Sequence, residues 1–99
     1  MAVKLQATIV ETIDNQGHQG TVLNVKLIDG TQQIAESTWP ATYGWADLSP
    51  AEKQAHVLND AKDSLLRPNL GSRLEINYQE DGPEEILVDG QAVAVEVIE

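Results

Sequence analysis

His18 lies in a Gly-flanked polar stretch and His56 near the polar face of a predicted helix; the chain has no other imidazole. A mononuclear metal site or a histidine base needs a second donor close by, such as a His one helical turn away. Neither histidine has one at ligand spacing, so both are expected to face solvent. Carboxylates are plentiful. Asp60 and Asp63 fall one turn apart on the outer helix face, and Glu80-Asp81 and Glu84-Glu85 flank Gly82-Pro83. Paired carboxylates do acid–base work only in a cleft that drives their pKa values apart. A helix exterior and a hairpin tip are poor places for that, and neither stretch sets oxygens at the alternating positions of a calcium loop. Cys is absent, which excludes disulfides, thiolate zinc sites, Fe–S clusters and Cys nucleophiles. No Gly-x-Ser-x-Gly, His-Glu-x-x-His or phosphate-cradling glycine loop occurs. The expectation is a protein that is not an enzyme, with no catalytic, cofactor-binding or metal-binding residues.

Binding chemistry is better represented. Three of the four aromatic residues, Trp39, Tyr43 and Trp45, share one short window with Pro40 and Gly44. Large aromatic side chains dominate both cores and docking surfaces. The window joins a strand to a helix, so one indole is expected to pack beneath the helix. Tyr43 and the other indole are then left to a partner. Between Thr31 and Ala51 there is no Lys or Arg, while Glu36 and Asp47 are present. Base stacking normally combines aromatics with basic residues, so a nucleic-acid platform is a weak expectation.

Charge is unevenly placed. The formal net charge is −10, and from Leu74 onward there are eight acids and no base. The preceding residues carry eight acids against six bases, a net of −2. Such a surface suits a partner with a basic face. It disfavours direct contact with phosphates or anionic membranes, which rests on Lys and Arg. The opening residues alternate apolar and polar, with no stretch suited to a signal peptide or a membrane span. A complete, cytoplasmic, single-domain chain over residues 1–99 is expected.

The positioning elements can be read from periodicity. Residues 3–13 read as a long strand with Val3, Leu5, Ala7 and Ile9 on one face, and the slip at Val10-Glu11 suggests a bulge. A polar loop precedes a second strand, residues 21–28, facing inward through Leu23, Val25 and Leu27. Asp29-Gly30 reads as a two-residue hairpin turn into a polar edge strand, residues 31–37. Ser49-Pro50-Ala51-Glu52 opens a helix with a capping box. That helix should end near Leu66, before Arg67-Pro68, and bury Ala51, Ala55, Leu58, Ala61, Leu65 and Leu66. Residues 73–80 form a strand with Leu74, Ile76 and Tyr78 inward. Residues 85–88, an Asp89-Gly90 turn and residues 91–98 close the chain as a hairpin, with Val93, Val95 and Val97 buried.

Three strands, one helix and two or three further strands is a chain order that resembles the OB-fold barrel. The stretch Leu70-Gly71-Ser72-Arg73-Leu74-Glu75-Ile76 is similar to the entry of strand four in such barrels. The expected class is mainly β within α+β: a small antiparallel barrel or strongly curved sheet of five to six strands, with the helix between strands 3 and 4. The alternative is an open antiparallel sheet with the helix across one face.

The expected function is a small acidic binding protein, an inhibitor or regulatory module that engages a protein partner. Its contact residues would be Trp39, Tyr43, Trp45, Glu80, Asp81, Glu84 and Glu85. Small acidic phage and bacterial inhibitors present carboxylates in place of nucleic-acid phosphates, and the expectation extends to that kind of mimic. The alternatives are a structural or assembly subunit, such as a phage-particle component or a homo-oligomer paired through edge strands, and an OB-type single-strand binder.

Overall fold

Alternating apolar residues on two long strands build the first layer. The computed structural model describes residues 2–13, 16–17, 19–82 and 84–99. The polar loop before the second strand, with His18, and the Gly82-Pro83 break fall partly outside them. Strand β1 (Val3–Ile13) pairs antiparallel with β2 (Gln19–Asp29), which pairs antiparallel with β3 (Gln32–Pro40). The β1–β2 ladder sets Leu5 opposite Leu27, Ala7 opposite Val25 and Ile9 opposite Leu23. One face is thereby apolar, and Leu5, Leu23 and Leu27 are fully buried. Burying each such side chain stabilises the fold by roughly 1.5–3 kcal/mol.

Two turn expectations need correction. The β1–β2 register runs through Val10 and Glu11 without a bulge. Glu11 keeps the inward phase but lies beyond the core, exposed, where the Thr21 hydroxyl approaches it at 3.4 Å. The irregularity falls instead on β3, where Leu27 pairs with Ala35 and Ile28 with Gln33. The hairpin turn is also displaced by one residue: Asp29 pairs with Gln32, and Gly30 adopts φ 66°. Gly at the first central position, with no positive φ at Thr31, fits a type II′ turn. β3 outlasts its expected end and carries Trp39 and Pro40 as strand residues.

The helix begins as its sequence dictates. In α1 (Pro50–Ala61) the Ser49 hydroxyl accepts from Glu52 N–H at 3.2 Å, and the Glu52 carboxylate accepts from Ser49 N–H at 2.9 Å. It does not stop at Arg67-Pro68. A π turn (Lys62–Leu66), in which Arg67 N–H donates to the Lys62 carbonyl, leads into α2 (Arg67–Leu70). Proline in an α-helix clashes with the carbonyl four residues back, and a wider π turn relieves that clash. Gly71, with φ 53°, then ends α2.

The π turn also resets which face is buried. Val57, Ala61, Leu65, Leu66 and Leu70 enter the core, while Ala51 and Ala55 are exposed and Leu58 is half-buried. The expected stripe was therefore correct at its C-terminal end and rotated at its start.

A second sheet takes β4 (Leu74–Asn77), β5 (Glu85–Val88) and β6 (Gln91–Ala92), all antiparallel. Asp89 and Gly90 make the β5–β6 turn at φ 52° and 79°, as the Asp-Gly pair predicts. Tyr78 lies past the last ladder pair, Asn77 with Glu85, and is exposed instead of inward. The final expected strand is split. Gln91–Ala92 pairs with β5, whereas β7 (Ala94–Ile98) pairs parallel with β1. Val93 between them is buried, and Val95 and Val97 are half-buried.

The architecture is mixed α+β: a four-stranded sheet ordered β3-β2-β1-β7, a three-stranded sheet ordered β4-β5-β6, and one helical run, residues 50–73, after β3. No closed barrel forms among the described residues. Closure fails because β7 caps β1 as an outer edge and no strand joins it to β3. The helix crosses one face of the first sheet, as the open-sheet alternative anticipates, although the β1–β7 pair is parallel. Arg73 ties the two sheets, bonding Asp29 at 3.1 Å and Asp89 at 2.7 Å. No helix among the described residues is long and apolar enough to cross a membrane.

Candidate functional site

The three aromatics of the window take three different environments. Trp39 pairs with Leu23 on the core-facing side of β3 and is half-buried. Its indole Nε1 is buried and meets no acceptor among the described residues. Tyr43, by contrast, is fully exposed. Gly44, at φ 77°, starts a tight turn (Trp45–Asp47) that drives Trp45 inward to 6 % exposure. The Trp45 indole donates to Glu99 Oε1 at 3.2 Å, and Lys53 Nζ lies 5.6 Å from the ring centroid. Lys53 also reaches Glu99 Oε1 at 2.6 Å. That ammonium, aided by the indole, holds the Glu99 carboxyl below its usual pKa. Of the window, then, Tyr43 alone presents its whole ring to solvent.

The acidic residues assemble elsewhere. Glu80, Asp81, Glu84 and Glu85 are exposed in and beside the β4–β5 connection. With Gln79 and Gly82 they line a depression of about 610 Å³. Lys62 of the π turn draws Glu84 in at 2.8 Å, and Asn77 donates to Glu85 at 3.1 Å. Gly82 and Glu84 also border a neighbouring depression of about 470 Å³, lined by Ala55, His56, Asn59 and Tyr78. The two adjoin as one groove at Gly82 and Glu84, with carboxylates along one side and Tyr78, Ala55, His56 and Asn59 along the other. None of Trp39, Tyr43 or Trp45 lines it.

Tyr78, Ala55, His56 and Asn59 are the members that sequence reasoning missed as site residues. A signal for Tyr78 was present, since the polar run Gln79-Glu80-Asp81 ends the alternation directly after it. Ala55 carried no such signal, because its exposure depends on the rotation of the helix. His56 is half-buried at the groove's edge, and among the described residues no group of three or more His, Cys, Asp or Glu could hold a metal ion.

No protein-family model, curated protein or solved structure matches this chain.

Proposed function

We propose that this protein is a non-enzymatic binding module that engages a basic segment of a protein partner. One observation carries this: the two depressions share Gly82 and Glu84, which sets an exposed Tyr78 and Ala55, His56 and Asn59 of α1 beside four carboxylates. Tyrosine is a frequent interface anchor, and Ala55 permits close approach of a partner backbone. Glu80, Asp81, Glu84 and Glu85 select Lys and Arg on that partner and speed its encounter. Tyr43 is a further exposed contact, held on the Trp45 turn. An inhibitory or regulatory role, with carboxylates replacing nucleic-acid phosphates, is compatible with the same wall.

A photo-crosslinking phenylalanine at position 78 tests the groove. It should capture a discrete partner from the source-cell lysate. That partner, once purified, should bind the Tyr78→Ala protein at least tenfold more weakly, by roughly the hot-spot threshold, and lose affinity with added salt. Equal capture by the same crosslinker at position 31, together with unchanged affinity for Tyr78→Ala, overturns the proposal.

The outer edges of β3 and β7 favour self-association as a second function, because strand edges carry unpaired backbone groups. Light scattering decides that point: a strict monomer at high concentration removes it. Single-strand binding has lost the barrel on which it leaned.

A further inference from the structure

We infer that the cleft beside Trp45 is a second binding site, for a cationic alkyl group: an ammonium or guanidinium on an aliphatic stem. The cleft measures about 390 Å³, inside the range of roughly 300–1,000 Å³ typical of small-ligand pockets. It opens between the ends of β1 and β2 and the Trp45 turn, and it shares no lining residue with the groove beside Tyr78.

Its two nitrogen donors converge on one carboxylate oxygen. The Trp45 indole N–H and the Lys53 ammonium both reach Glu99 Oε1. Open acceptor capacity lies at Glu11. Glu11 is exposed in the cleft wall, and its one hydrogen bond among the described residues comes from the Thr21 hydroxyl at a long 3.4 Å. Glu11 and Glu99 against Lys53 leave the lining one negative charge in excess. That excess negative charge favours a cation over an anion. A cation supplies donors to Glu11 as charge-assisted hydrogen bonds. Ile9, Ala46 and the indole give the apolar walls that an aliphatic stem packs along. The net charge of −10 draws cations toward the surface in general, and the cleft selects those with a stem.

The test is an NMR titration of the intact protein at low salt, read at the Trp45 indole N–H. The probes are n-butylammonium and n-butylguanidinium, with butanol as the neutral control. Saturable shifts with the two cations and none with butanol are expected. Glu11→Gln should weaken binding about tenfold, the scale of one charge-assisted hydrogen bond. Glu75→Gln, an exposed acid outside the cleft, removes the same charge and should leave affinity unchanged. The same spectra report that each variant is folded. Cadaverine and a blocked lysine amide separate the two sources: tighter diamine binding indicates a free small molecule, tighter lysine binding a partner's side chain. Non-saturating shifts, an equal response to butanol, or equal weakening by Glu75→Gln overturns the site.

Discussion

The indole N–H of Trp45 and the carboxylate of Glu99 meet at 3.2 Å, although they stand at opposite sides of the helix in chain order. The same carboxylate oxygen takes the Lys53 ammonium at 2.6 Å. One acidic side chain thus joins the aromatic turn, the first turns of α1 and the residue after β7. This tie explains why the aromatic window is pinned at Trp45 yet leaves Tyr43 free.

Acid should weaken the fold in a defined window. Glu99 is held below its usual pKa by Lys53, Asp89 by Arg73, and Glu52 by the Ser49 backbone N–H and then its hydroxyl. A depressed carboxylate stabilises the folded state above its unfolded pKa and loses that contribution as pH falls through the folded value. The melting temperature should therefore stay level down to about pH 5 and drop below about pH 4. Melts of Glu99→Gln across the same range should show a shallower acid fall than the parent. An identical slope would remove Glu99 from this account.

The two indoles should respond unequally to removal of their N–H. Trp45→Phe loses the Glu99 bond and part of the Lys53 contact, and should lower the melting temperature. Trp39→Phe deletes a buried donor that has no acceptor among the described residues. Because an unsatisfied buried donor is itself costly, this variant should stay within about 1 kcal/mol of the parent or exceed it. Denaturant melts of the pair check the contrast.

Along the helix, burial should follow the π-turn register and not the initial periodicity. Leu66→Ala empties a fully buried position and should cost about 2–5 kcal/mol. Ala55→Ser, on the exposed side, should change stability by less than about 0.5 kcal/mol. A large loss for Ala55→Ser would mean that the helix sits in the register read from the sequence.

Arg73 should be irreplaceable by Lys. Its guanidinium reaches both Asp89 oxygens and Asp29, and Asp89 N–H returns to the Arg73 carbonyl at 3.0 Å. An ammonium cannot reproduce a planar fork. Arg73→Lys should lower the melting temperature and speed amide exchange at Asp89, whose N–H bonds the Arg73 carbonyl. Unchanged exchange at Asp89 would show that the fork is dispensable.

Local signals in the chain carried a large share of the architecture. Alternation at Leu5, Ala7, Leu23 and Val25 identified the central hairpin, the Ser49–Glu52 pair marked the helix start, and Asp89-Gly90 marked a turn. Each depends on neighbours within a few residues, where the backbone period and the steric limits on φ are expressed directly. The base-free acidic run was likewise visible. Barrel closure was not, because it hinges on whether β7 extends β1 or bridges to another strand, and β7 alternates identically in either place. Helix phase was not, because a π turn precedes Pro68, and with it Val57 faces inward and Ala55 outward. The groove depends on both outcomes. Tyr78, Ala55 and Glu84 are distant in the chain, and they converge through the Lys62–Glu84 ion pair and the strand pairing that ends at Asn77. Such convergence depends on contacts between remote residues, which a local repeat of side-chain types does not encode.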